Sequence, residues 1–577
     1  MNESLKLLGD EYWEYQLETS PITALMMGDH RYGDRFDEFS REAEDKDIAA
    51  LRDFVARAEA IDPADLTEEE RITRQVLMFE ASTNAGAAET RQAELAVNHV
   101  VGFQAMLPVL ASQLPIETAE HADQLLSMYG GMARGVDEMT ERLREGVTAG
   151  RTPPRHEVGA TITQLDGFLA AAGADNPLLA VRVPAEFDEA AAAAWKEKLG
   201  GVVDSAIRPA LQRFRDTLEN EIMAVARPEE RSGVSWLPDG EELYARSIHR
   251  HTSLPMDAVE IHEIGLQAIE RLADEYRDLG SKVLGTADLG DIFSRLRDDP
   301  DLRFSKGADL VAASEKAMTK AKKELGNWFG RLPQSDCLVA ETPSGPAAFY
   351  LPPAIDGSRP GTFFVNTADP GGWGRYEIEA MAYHEGIPGH HLQLAIAQEL
   401  EDMPEFRKHA GVTAFAEGWG LYTERLADEM GLYTSDLERM GMLSMDSMRA
   451  GRLVVDTGIH AMGWSRQQAI EYLVRNSPMS EANITDEVDR YIGMPGQALA
   501  YMIGRLEILR IRGEAEERLG DAFDIKGFHD AVLTHGMLPL EVLADVVDDW
   551  VSQGLSVPPV SEANGRGEGT ADPKGQG

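Results

Sequence analysis

The segment Gly386-Ile387-Pro388-Gly389 interrupts an otherwise helical stretch and stands between two histidines, His384 and His390. Pro388 has no N–H to bond the carbonyl of residue 384, and its ring clashes there, so no regular helix runs through it. Gly386 and Gly389 relax the backbone on either side. The surrounding run, Tyr383 to His391, holds the parts of a zinc-hydrolase helix, two histidines and an adjacent Glu385, but at the wrong spacing. In H-E-x-x-H the histidines stand four apart and reach one metal from one helical face. A step of six on a regular helix turns by about 240°, and a step of seven, to His391, travels on the order of 10 Å along the axis. An unbroken helix serves neither. If residues 386–389 form a bulge that absorbs two extra residues, His390 takes the place of the i+4 histidine, and His391 is the fallback. Such interruptions concentrate at functional sites.

A third ligand is expected further on, from a following helix. Glu417 lies in an apolar run with Val412, Phe415, Trp419 and Leu421, so its carboxylate faces the interior and needs a cation there. Gly418 and Gly420 let that helix approach its neighbour closely. Glu424, one heptad later, lies near the same face and competes for the role.

These runs, His384 to Gln393 and Glu417-Gly418-Trp419-Gly420-Leu421-Tyr422, resemble the bacterial family called domain of unknown function 885. Further similar stretches are Arg359-Pro360-Gly361-Thr362-Phe363 with Asn366, Leu453 to His460, Pro495 to Tyr501, and Gly536 to Leu540. The likeness extends from Tyr12-Trp13 and Gly28-Asp29 over nearly the whole chain. More distantly, the order of motifs is similar to that of helical zinc peptidases such as thimet oligopeptidase, angiotensin-converting enzyme and the thermostable carboxypeptidases. The resemblance implies a mainly α-helical zincin of gluzincin type, with a small sheet beside the metal helix and a deep substrate channel. It implies zinc as cofactor and short peptides as substrates.

With zinc held by His384, His390 and Glu417, Glu385 is the general base for the attacking water. An oxyanion donor is needed beside the metal, and Tyr501 and His460 are the candidates. Asp456, one turn before His460, is placed to fix that imidazole's tautomer. Arg359 and Asn366 from the strand-like segment, and Arg505 as a carboxylate anchor, are candidate substrate-binding residues. The alternatives are a zinc amidohydrolase acting on a non-peptide amide, and a metal- or peptide-binding protein without turnover; a retained Glu385 argues against the last.

The pattern is helical from Glu3 to about Gly233, with a turn-rich connection at Ser235 to Gly240. This divides the chain into an N-terminal helical lobe, 1–234, and a catalytic lobe, 235–560. The β signals fall between Cys337 and Thr367, where Phe349-Tyr350-Leu351 and Thr362-Phe363-Phe364-Val365 flank a loop. His249 and His251 read as an exposed extended stretch before Thr252 rather than a second metal site. The tail, 561–577, is Gly-rich and polar and reads as disordered. A formal charge of −44 over 577 residues argues against nucleic acid and anionic membranes as partners. One cysteine, Cys337, excludes an internal disulfide, and no apolar run approaches the roughly 20 residues of a membrane span. The expectation is a cytoplasmic monomer or homodimer.

Overall fold

The computed structural model describes residues 1–171, 173, 176–343, 346–354, 357 and 359–556. Ile355, Asp356 and Ser358 of the expected loop, and the tail 561–577, lie outside the described residues. The chain is mainly helical with one three-stranded sheet. Among the described residues, no helix is long and apolar enough to cross a membrane.

The long helices that open the chain are α1 (Glu3–Thr19), α2 (Arg41–Glu59) and α3 (Glu68–Glu89), with a short helix at Pro21–Met26 between the first two. A capping box starts α3, with Thr67 accepting from the Glu70 N–H and Glu70 accepting from the Thr67 N–H, so two donors left over by the helix are satisfied. Next come α4 (Ala119–Thr148) and α5 (Arg155–Ala170), which build a separate apolar core with Leu107, Leu199 and Leu211. Helices α1 to α3 do not join that core. Their Tyr12, Phe54 and Val76 pack with residues of the C-terminal half. Tyr12 meets Phe406 edge-on at 5.7 Å, and the buried Arg407 guanidinium pairs with Glu69 and donates to Thr73 at 2.9 Å. The apolar cores therefore do not divide at the boundary expected near 235, because amphipathic pattern marks which face is buried but not against what.

Helix α6 (Gly240–Thr252) begins where the turn ends. His249 and His251 sit in its last turn, correcting the extended stretch expected there. His251 lies 3.3 Å from the Thr413 hydroxyl, and burial pushes its pKa down to about 3. After α7 (Ala258–Val283) the sheet forms from β1 (Cys337–Thr342), β2 (Ala348–Leu351) and β3 (Gly361–Asn366), in the order β1-β3-β2. β2 pairs antiparallel with β3, Phe349 opposite Phe364 and their rings stacked at 4.9 Å. β1 pairs parallel with β3 on its other side.

The site helices follow: α8 (Ile378–Glu385), α9 (His390–Gln398), α10 (Thr413–Glu429), α11 (Asp436–His460), α12 (Glu481–Gly493), α13 (Ala500–Leu519) and α14 (Leu540–Ser556). Helix α11 is the spine, with every residue from Met440 to His460 buried. A helix buried all round must pair its polar groups inside the protein. Thus Asp446 takes both Arg425 and Arg505, and Asp456 accepts from the Tyr244 hydroxyl at 2.6 Å. Helices α10 and α13 touch through backbone, since a Cβ on Gly418 would lie 2.5 Å from the Gly504 Cα.

One ionic cluster ties α5 to α12. His99 and His156 lie 3.2 and 3.1 Å from the buried Glu157, and 3.7 and 3.4 Å from the buried Asp489. The group has metal-ligand residue types, but the Arg466 side chain already holds both oxygens of Asp489. It is an ion-pair network compensated by protein cations. The hydrogen bond to Glu157 raises the His99 pKa against the opposing effect of burial; burial opposes the rise at His156, but Asp489 and Glu157 outweigh it. Two histidines with folded pKa values above the unfolded value near 6.5 stabilise the fold fully below that pH, and lose the contribution as pH rises through the raised values. The urea midpoint is therefore expected to fall as pH rises above about 6.5, and His156→Gln to flatten that slope.

Candidate metal centre

His384 and Glu385 end α8, and α9 begins at His390, so the interruption is a full break between two helices rather than a bulge within one. Gly386 and Gly389 have ψ of −113° and −128°, far from helical, and the Ile387–Pro388 peptide is cis. A Cβ at Gly389 would fall 1.8 Å from the His384 carbonyl oxygen, so only glycine allows so close a return of the chain. The Trp419 indole N–H donates to the Pro388 carbonyl at 3.0 Å, fastening the break to the helix that carries Glu417.

This folding brings three predicted residues to one point. His384 Nε2 and His390 Nε2 lie 3.5 and 3.4 Å from Glu417 Oε2, and one donor atom of each residue lies within 4.8 Å of the others. The two imidazoles stand nearly perpendicular, at 85°. His384 Nδ1 is 2.8 Å from Glu424 Oε1, which makes Nδ1 the donor to that carboxylate and turns Nε2 towards Glu417. Glu424 is thus the imidazole's outer partner, not the rival ligand the sequence suggested. It follows Glu417 by two turns on one face of α10.

The electrostatics call for a positive charge. Burial acts to lower the His384 pKa, but hydrogen bonds to Glu417 and Glu424 outweigh it and push it up to about 9. Burial acts to raise Glu417, yet His384 and His390 hold its carboxyl well below the usual range. Two imidazole nitrogens and one carboxylate oxygen are the donor set of catalytic zinc sites, which keep a fourth position open. A carboxylate on the far nitrogen of a ligating histidine is the usual outer support, and its loss costs about 10–100-fold in metal affinity. Glu424→Ala is expected to weaken zinc binding by that factor, measured by competition with a chromogenic chelator.

Glu385 is buried beside His384, and its carboxylate accepts no hydrogen bond from the described residues. Tyr501, at the start of α13, lays its ring on His384 at 6.4 Å and 20°. Its hydroxyl lies 3.5 Å from Gln497 Nε2. Burial raises the Tyr501 pKa, with Glu417 adding to it, so the phenol stays protonated as a donor.

The other candidates go elsewhere. His391 points away from the centre, with Nδ1 2.9 Å from the Tyr350 hydroxyl of β2 and Nε2 3.0 Å from the Ser335 carbonyl. His460 is not an oxyanion donor, because Nδ1 accepts from the Val234 N–H at 3.2 Å and Nε2 donates to the Tyr491 carbonyl at 3.0 Å. Asp456 does not orient it; burial raises the Asp456 pKa to about 7, and its carboxyl serves Tyr244 and the Gly496 N–H. Arg505 is paired with the buried Asp446 and is no free carboxylate anchor. Asn366 ends β3, and its side chain accepts from the Ala368 N–H at 3.0 Å. Arg359 precedes β3 and bonds the Ala354 N–H through its carbonyl at 2.9 Å. Neither Asn366 nor Arg359 belongs to the three-ligand cluster. Three residues the sequence did not single out surround Tyr501: Arg449 and Arg452 of α11, and Gln497.

The family described as "Bacterial protein of unknown function (DUF885)" matches residues 21–547. Among solved structures, one described as a "putative lipoprotein" from Colwellia psychrerythraea is similar over 96% of this chain and 100% of its own, at 25% identity and a TM-score of 0.90. Another, described as a "putative lipoprotein of unknown function" from Shewanella oneidensis, is similar in fold over 93% of this chain and 98% of its own, at 18% identity and a TM-score of 0.72. None of the curated proteins compared with the chain matches it.

Proposed function

The chain belongs to this family of bacterial proteins, and we propose that it is a zinc-dependent peptidase that hydrolyses short peptides. The observation that carries the reading is the convergence of His384, His390 and Glu417, with Glu424 behind His384 and Glu385 unbonded beside it. The order of these residues, His-Glu and His across a break and then Glu on a later helix, supports a gluzincin-type arrangement. His390 and Glu417 are only partly buried, so the centre keeps a face towards solvent.

Zinc held by the three side chains would supply Lewis-acid polarisation of the scissile carbonyl and make the attacking water more acidic. Glu385 takes that water's proton as the C–O bond forms. It then passes the proton to the amide nitrogen as the C–N bond breaks. The Tyr501 hydroxyl donates to the oxygen that gains negative charge in the transition state. His384 and His390 bind and orient, and Glu424 holds the His384 tautomer.

The test is a library of short peptides incubated with the purified protein, with and without a chelator. Cleavage that stops with chelator and returns with zinc is the expected result. Absence of any chelator-sensitive cleavage, with non-peptide acyl amides cleaved instead, would move the assignment to amidohydrolase.

A further inference from the structure

Beside Tyr501, the buried spine α11 presents two guanidiniums whose N–H groups the protein does not fully satisfy. Arg452 lies over the Tyr501 ring at 4.4 Å and Arg449 at 5.9 Å. They are 5% and 4% exposed. Arg452 Nη1 and Arg449 Nε are buried N–H groups with no acceptor among the described residues. Of the other donors, Arg452 Nε reaches the Tyr491 hydroxyl at 2.9 Å, while Arg449 Nη1 lies 2.8 Å from Met445 Sδ and 3.4 Å from the Met445 carbonyl, and Arg452 Nη2 lies 3.9 Å from Met448 Sδ. A thioether is a weak acceptor on a flexible stem, a poor partner for a buried cation. The nearby carboxylates are already committed. Glu487 serves Arg452 at 2.8 Å and Arg490 at 3.0 Å. Glu424 supports His384 at 2.8 Å and stands 3.6 Å from Arg449. Arg449, Arg452 and Arg490 thus share carboxylates that also serve other groups, and Glu377, which acts on Arg449 at longer range, is itself bonded to Ser444. A buried, charged donor left without an acceptor is expensive, and such groups call for a ligand or ion.

We propose that Arg449 and Arg452 form an anion subsite that takes a carboxylate of the substrate. This rests on the peptidase reading above. Guanidinium forks match carboxylates in shape and charge, and Met445 and Met448 can swing aside when one arrives. An extended chain advances about 3.3–3.6 Å per residue, so the carboxylate belongs within two or three residues of the scissile bond. The substrate class is therefore a short peptide with a free C-terminus, or an acidic side chain, close to the cleavage point. The chain's own charge of −44 opposes anionic ligands at long range, so two local cations are what such a substrate requires.

The experiment compares matched peptides on the zinc-loaded wild type: a free acid, its C-terminal amide, and the amide with a terminal acidic side chain. A charged hydrogen bond gained by the free acid should raise kcat/KM roughly tenfold or more over the amide. If the third peptide gains and the first does not, the carboxylate recognised is a side chain. Arg452→Met should bring the ratio towards one, with Arg452→Lys between. Titration calorimetry of the same peptides into Glu385→Gln protein reads the same preference as affinity, without turnover. Equal cleavage and equal binding of all three peptides would overturn the subsite and leave the peptidase reading standing. The same holds for a preference that survives both Arg452→Met and Arg449→Met in folded protein. Preferential binding of carboxylates without cleavage of any peptide would do the reverse.

Discussion

Glu385→Gln is expected to lower kcat on a short peptide by about 10²–10⁴-fold while one zinc per chain is retained. Glutamine keeps the size and position of the side chain, so α8 and the His384 ligand stay in place. What is lost is the ability to accept the water proton and return it to the leaving amine. Glu385 makes no structural hydrogen bond with the described residues, and removing its charge therefore leaves no partner stranded. The variant separates chemistry from metal binding, because its zinc content, read by elemental analysis, should equal that of the wild type. Turnover within twofold of wild type would remove Glu385 from the role of base.

Gly420→Ala is expected to act from the opposite side, through the ligand. A Cβ at this position would lie 2.7 Å from His384 Cε1, 2.8 Å from Nε2 and 3.0 Å from Nδ1. The imidazole has little room to yield, because Glu424 holds Nδ1 and Tyr501 lies along the ring. Overpacking of this kind typically destabilises by about 1–3 kcal/mol, which the urea midpoint reads directly. Displacing a ligand should also weaken zinc binding by more than the roughly 10–100-fold expected for losing an outer-shell partner. Chelator competition on the folded variant measures that. Unaltered zinc affinity would mean that the ring moves without consequence, and that His384 Nε2 is not where the metal sits.

Local chemistry explains why His390, not His391, joined His384. Pro388 forbids the helix to continue, and two glycines allow the sharp return that places the second imidazole. Those are properties of a few adjacent residues. Glu417 was legible for a similar reason, as a carboxylate in an apolar helical run with glycines beside it. The antiparallel pair β2–β3 showed in its aromatic and β-branched residues, but the parallel partnership of β1 with β3 is a non-local contact with no short-range signature. The misplaced site residues fail for tertiary reasons. Asp456 and His460 are i, i+4 on one helix, yet each turns to a different element, Tyr244 and Gly496 for one, Val234 and Tyr491 for the other. Arg505 looked available because nothing near it in sequence announces Asp446, 59 positions away. Helical spacing likewise put Glu424 on the same face as Glu417 but could not say which of them lies nearer both histidines.

The proposed peptidase depends on one zinc ion held by His384, His390 and Glu417. A crystal of zinc-reconstituted protein, with anomalous diffraction collected on both sides of the zinc edge, tests it most directly. A single strong peak is expected, with Nε2 of both histidines and a Glu417 oxygen at about 2.0–2.2 Å. Protein that takes up no zinc, or a peak ligated by His391 or by the His99–Asp489 cluster in its place, would contradict it.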